Sequence, residues 1–160
     1  MRNNSLRTIF DLVSKQFSLS KLSDHGPDHW HRVEEVGLEL AKETNADTEI
    51  ISMFALLHDS RRIYDVIDPE HGKRSAEFVQ HLSNSDHIKL DKDRLETLIF
   101  ACRHHNDRSA HSDNLTVNIC WDSDKVDLIR IGVDPKDIVL TTEVGIKYLQ
   151  NIIHANENKN

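Results

Sequence analysis

The stretch LLHDSRRIYDVIDPEHG, residues 56–72, sets an ionisable pair, His58-Asp59, directly behind one of the most apolar runs of the chain. That run, TEIISMFALL at 48–57, has a single charged residue, Glu49. Apolar density of this kind marks a buried element. Charge at the end of a buried helix is costly unless a partner compensates it. The reading of the whole chain therefore turns on what faces His58 and Asp59.

Working outward, apolar residues recur at steps of three and four over 5–17, 27–43, 48–60, 69–82, 92–105, 115–131 and 142–154, the helical period. All three prolines, Pro27, Pro69 and Pro135, fall where a helix or short turn can start, and there the missing N–H costs nothing. Five glycines in 160 residues leave too few turns for a sandwich or barrel. The expectation is an all-α chain of about six or seven helices, one domain over 1–156, with a polar tail at 157–160.

Composition excludes several functions. The net charge is −7, and no block of Lys or Arg appears. A nucleic-acid polymer, which requires a basic footprint, is not an expected partner. No run approaches the ~20 apolar residues of a membrane span, and the start, MRNNSLRTIFDLVSKQ, is too polar for a secretory signal. Cys102 and Cys120 sit inside apolar patterns and read as buried thiols of a reducing compartment, hence a cytoplasmic location.

Eleven histidines are the outlier. Continuing each apolar stripe by helical steps brings His29 onto the inward face of 27–43, His58 with Asp59 onto that of 48–60, and His71 onto that of 69–82. The stripe Leu95, Leu98, Cys102, His105 favours His105 over His104, which follows Phe100 and could face the same cavity. The stripe Val117, Trp121, Asp124, Leu128, Ile131 turns Asp124 inward. One inward histidine is ordinarily a hydrogen-bonded core residue. Four imidazoles and two carboxylates from five helices are satisfied together by an ion, or a pair of ions, for which they are natural ligands. His31 falls off the stripe, as do Asp122 and Asp127, which read as solvated carboxylates or ones that orient a ligand. His25, His81, His87, His111 and His154 lie in polar contexts and read as surface residues.

The pattern resembles the HD-domain superfamily of metal-dependent phosphohydrolases, helical proteins named for an adjacent His-Asp pair. The family order is a His, then His-Asp, then a later Asp. Here HWHRV supplies His29, LLHDS supplies His58-Asp59, and DSDKVD supplies Asp124. EHGKRSAEFV and ACRHHND resemble the segments that add histidines for a second metal, His71 and His105 or His104. Together these segments run from about Gly26 to Pro135. No Gly-Tyr-Pro follows HHND, so the cyclic-di-GMP type is not supported, and Arg62 stands where some HD nucleotidases carry a Glu.

The resemblance implies hydrolysis of a phosphoester, a nucleotide or another small phosphorylated metabolite, with Asp59, His58 and Asp124 as the catalytic core. Its cofactors would be one or two divalent ions: manganese, iron, cobalt, nickel or zinc, with magnesium admissible. Arg61, Arg62, Lys73, Arg74 and Arg103 are the cations nearest the ligands in sequence and the candidates to clamp phosphate. Two rivals use the same residues: a mixed-valence di-iron oxygenase, and a non-catalytic metal-stabilised ligand-binding module. The sequence leaves the oligomeric state open.

Overall fold

In the computed structural model, which describes residues 4–158, the chain is built around the apolar run of 48–57. Asp47 opens it: the Asp47 carboxylate accepts hydrogen bonds from the amides of Glu49 (3.0 Å) and Ile50 (3.2 Å). These are two of the donors that a helix start leaves unpaired. The helix that follows, α3 (Thr48–Leu57), is buried at every position from Ile50 to Leu57. A helix that is apolar all round has to be enclosed. Four others enclose it: α1 (Asn4–Gln16), α2 (Pro27–Ala41), α5 (Lys92–His104) and α6 (Leu115–Val126). Phe54, without exposed surface, anchors this core, and its loss to Ala would cost about 3–5 kcal/mol. Trp30 is equally enclosed, edge-on to Phe10 and Phe17, with its indole N–H on the His25 carbonyl at 2.8 Å.

The remaining elements pack outside this set. α4 (His71–Asn84) lies along α5, and α7 (Glu143–Glu157) packs on α6 and α2 over a smaller apolar cluster of Val126, Ile138, Leu140 and Leu149. Two 3-10 turns, Asp127–Ile131 and Pro135–Asp137, join α6 to α7. The fold is all-α, with no strand among the described residues.

Most helix starts follow their sequence signals, with Pro27 at the first turn of α2, Asp91 capping α5 and Asn114 capping α6. Three boundaries differ from the periodicity. α4 begins at His71 rather than at Pro69, because the Asp68 carboxylate turns away to accept the amides of Ile63 and Tyr64 and the Arg74 guanidinium. The helix expected over 115–131 ends at Val126 and tightens into the 3-10 turn, closed by Gly132 at φ 93°, a left-handed conformation natural to glycine. That change of pitch swings Leu128 and Ile131 off the inward stripe and leaves them 40% and 52% exposed. At the other end Glu157, expected in the tail, is the last residue of α7 and binds Lys136 Nζ at 2.9 Å; residues 159–160 lie outside the described chain.

Five helix ends converge on one place. His29 lies in the first turn of α2, His71 opens α4, His58 and His105 cap the C-terminal ends of α3 and α5, and Asp124 lies in the last turn of α6. Three of these are C-terminal ends, whose negative dipole poles favour a cation nearby, against the positive poles of the two N-terminal ends.

Candidate metal centre

Asp59, 3% exposed, lies at the centre of the convergence. One of its oxygens, Oδ1, stands 3.0 Å from His71 Nε2 and 3.3 Å from His105 Nε2. The other, Oδ2, stands 3.7 Å from His29 Nε2 and 3.9 Å from His58 Nε2. Asp124 Oδ1 completes the second group, 3.3 Å from His29 Nε2 and 3.4 Å from His58 Nε2. Neighbouring ligand atoms bound about 2.0–2.2 Å from one divalent ion are separated by about 2.8–3.6 Å, depending on whether the geometry is octahedral or tetrahedral. The donor spacing around Asp59 and Asp124 is close to that.

The hydrogen bonding of the rings makes the case more specific. His29 Nδ1 is 2.7 Å from Asp127 Oδ2, and His105 Nδ1 is 2.7 Å from the Cys102 carbonyl. His58 Nδ1 faces the carbonyls of Phe54 and Ala55 at 3.1 and 3.2 Å, and His71 Nδ1 faces that of Asp68. An oxygen acceptor at Nδ1 places the proton there, so Nε2 of each neutral ring carries a lone pair. The Nε2 atoms then face one another, 3.1 Å apart for His29 and His58 and 2.8 Å for His71 and His105. Two neutral rings so placed would repel, so each pair needs positive charge between its nitrogens, either a proton or a metal ion. Tying Nδ1 to an oxygen is also how proteins orient histidine toward a metal.

Electrostatics agree. Burial by itself would raise the Asp59 carboxyl, but His58, His105, His25 and His71 hold it well below the usual carboxylate range. Asp124 is likewise held well below that range, with His58 and His29 outweighing burial. Burial would lower His29, yet Asp124 and Asp127 lift it to about 9, while burial pushes His105 down. The carboxylates are thus anionic at neutral pH and attract positive charge into a buried site.

Sequence reasoning missed one member of this group. His25, read as a surface residue, has Nδ1 2.7 Å from Asp59 Oδ2 and, with His29 and Asp59, forms a further set of donors spaced for an ion. Its place four residues before His29 was the available signal, obscured because Gly26-Pro27 starts α2 between them. Asp127 is buried and anchors His29, with Arg32 Nε on its other oxygen at 2.7 Å. Asp122, by contrast, is neither solvated nor near a ligand. Fully buried, it accepts the amides of Thr141 and Thr142 at 2.9 and 2.8 Å and secures the start of α7.

His105 joins the group; His104 turns aside toward Phe100, with ring centroids 4.6 Å apart. Of the cations expected at phosphate, Arg62 lines the cavity, with Nε 3.2 Å from Asp59 Oδ1 and a second bond to the Tyr64 carbonyl. Arg61 lies over the Phe78 ring and reaches Gln16. Arg74 is locked on Asp68, Lys73 sits beside Glu70 at an exposed position, and Arg103 does not line the cavity. A guanidinium not singled out by sequence, Arg130, does line it, bound to Asp24 Oδ1 at 2.8 Å and to Asp127 at 3.4 Å.

No protein-family model matches the sequence, and no curated protein matches it. Among solved structures, the chain is similar to the crystal structure of a predicted HD superfamily hydrolase from an uncultured Thermotogales bacterium, with a TM-score of 0.71 over 98% of this chain and 92% of that one. The fold is the HD-domain fold. Sequence identity is 23%, so the likeness is one of architecture. Within the HD fold, the clustered His and Asp side chains are arranged as groups that could hold metal ions. No helix among the described residues is long and apolar enough to cross a membrane.

Proposed function

We propose that the chain is a metal-dependent phosphohydrolase acting on a small phosphorylated metabolite. The observation that carries this reading is the division of Asp59: one oxygen faces His71 and His105, the other His29 and His58. A carboxylate so placed suits two divalent ions side by side, the arrangement that serves in-line displacement at phosphorus. His29, His58 and Asp124 with Asp59 Oδ2 would hold one, and His71 and His105 with Asp59 Oδ1 the other. When bound, such ions acidify water and neutralise charge on phosphoryl oxygens.

The chain's own residues supply the positioning. Asp127 fixes the ring of His29, and the carbonyls closing α3 and α5 fix those of His58 and His105. Arg62 steadies Asp59 and, with Arg130, presents a guanidinium on the cavity wall where a phosphate would enter. The donor set of imidazole and carboxylate suits manganese, iron, cobalt, nickel or zinc.

The test combines metal analysis of the untreated protein with phosphate release from a panel of phosphoesters. Asp59→Ala is expected to abolish release while helicity is retained. Full activity in that variant refutes the reading. Oxygen consumption by iron-loaded protein, with no phosphate released, would favour the oxygenase alternative.

A further inference from the structure

Leu128 and Ile131 were expected to point into the core and instead lie on the wall of the metal-centre cavity, 40% and 52% exposed. They belong to the 3-10 turn Asp127–Ile131, where three residues make a turn and side chains at i and i+3 eclipse. The two therefore stack into one apolar ledge. Single exposed apolar residues are ordinary on protein surfaces. This pair shares its cavity with His29, Asp59 and Asp124, and follows directly on the chain after Asp124 and Asp127.

Resting on the phosphohydrolase reading, we propose that the substrate is a phosphomonoester of a compact apolar alcohol, with its phosphoryl group at the metal centre and its apolar body on the Leu128–Ile131 ledge. Charge supports the monoester. Four carboxylates (Asp24, Asp59, Asp124, Asp127) and two guanidinium groups (Arg62, Arg130) line the cavity, and Arg32 pairs with Asp127 behind its wall, so two divalent ions leave an excess of three positive charges. That covers one phosphomonoester dianion and falls short of a triphosphate. Both guanidinium groups are already engaged, Arg62 by Asp59 and Arg130 by Asp24 and Asp127, so neither is spare for a second or third phosphate. The ledge supports the apolar alcohol, since its two aliphatic side chains offer contact area and no hydrogen-bonding group. In the reaction the bond from phosphorus to the alcohol oxygen breaks and a bond from phosphorus to water oxygen forms. One water proton ends on the departing alcohol and the other on inorganic phosphate.

The test uses alkylphosphonates, whose P–C bond resists hydrolysis, titrated calorimetrically into the manganese-loaded protein. Affinity is expected to rise about twofold per methylene from methyl- to hexylphosphonate, below the roughly fourfold of full burial because the ledge covers one side of the chain. Methylenediphosphonate is expected to bind no more tightly than methylphosphonate. The double variant Leu128→Ser, Ile131→Ser, at positions exposed enough to tolerate the change, is expected to lose most of the hexyl-over-methyl gain at wild-type metal content. Chain-length-independent affinity, or tightest binding of the diphosphonate, overturns the proposal, while phosphate release from other esters keeps the phosphohydrolase reading. The chain-length gain without phosphate release from hexyl phosphate overturns the phosphohydrolase reading and supports the ledge.

Discussion

The Nε2 atoms of His29 and His58 stand 3.1 Å apart, although each ring already has its other nitrogen on an oxygen acceptor. The only proton available between them is the one that charges His29, which Asp124 and Asp127 favour, so the contact calls for positive charge between the rings. The same conflict recurs between His71 and His105 at 2.8 Å. Two repetitions, joined by the two oxygens of Asp59, describe a site whose donors are arranged for positive charge.

The first prediction separates the ligands. Asp59→Ala is expected to empty both positions, and His105→Ala to lower the metal content by about one equivalent if each imidazole pair holds its own ion. His104→Ala, removing a ring that packs on Phe100, is expected to leave metal content as in the wild type. Elemental analysis of the three purified proteins decides it, and metal loss in His104→Ala would contradict the geometry.

Asp127 holds His29 without reaching the centre itself. Asp127→Asn retains the shape and withdraws the charge that orients the ring. Metal affinity is expected to fall about 10- to 100-fold, the usual effect of removing such a partner. A competition titration against a chromophoric chelator measures this, and unchanged affinity would show that the Asp127 bond to His29 does not matter.

Gly72 lies where α4 meets α5. A Cβ there would stand 2.6 Å from Asn106 Oδ1 and 2.7 Å from the Arg103 carbonyl. The second contact is backbone and cannot swing away, so Gly72→Ala must spread the two helices. A loss of about 1–3 kcal/mol is expected on thermal unfolding. Because His71 and His105 lie on either side of this contact, metal content should fall as well.

Asp47 links the start of α3 to Arg94 of α5, with Arg94 Nε 2.6 Å from its Oδ2. Burial would raise its carboxyl, but Arg94 and the amides of Ile50 and Glu49 lower it below 3.8. A folded-state value below the unfolded one gives stability that is complete above about pH 4 and is lost as pH falls through the lower folded value. Asp47→Ala is expected to cost about 1 kcal/mol at pH 7, the usual worth of such a cap. Denaturant titrations at pH 7 and pH 3 should show the gap between wild type and variant closing in acid.

Where the helical period held, the sequence was legible. α3 is apolar throughout, so its ends, and with them His58-Asp59, could be placed; stepping along α2, α4 and α5 led to His29, His71 and His105. Legibility failed where the period breaks. His25 precedes the proline that starts α2, lies on no helical stripe and reads as a surface residue from its polar neighbours, while Leu128 and Ile131 follow the change from α to 3-10 pitch, where stripe counting misplaced them. The cations were misjudged for another reason. Nearness in sequence says little about a long side chain: Arg61 and Arg62 are adjacent, yet one lies on Phe78 and the other on Asp59. Arg130, 71 residues from Asp59 in the chain, enters the cavity by way of Asp24 and Asp127.

The meeting of five helix ends at Asp59 has a consequence for the life of the molecule as well as for its chemistry. With ions bound as proposed, the two would together act as rivets, one through α2, α3 and α6 and the other through α4 and α5, joined by Asp59, and the folded chain would draw on metal supply for its endurance. Free ion at a thousandfold its dissociation constant contributes about 4 kcal/mol to a fold that binds it. Starved of metal, the same polypeptide would melt earlier and yield sooner to proteases, so its cellular abundance would follow trace-element status.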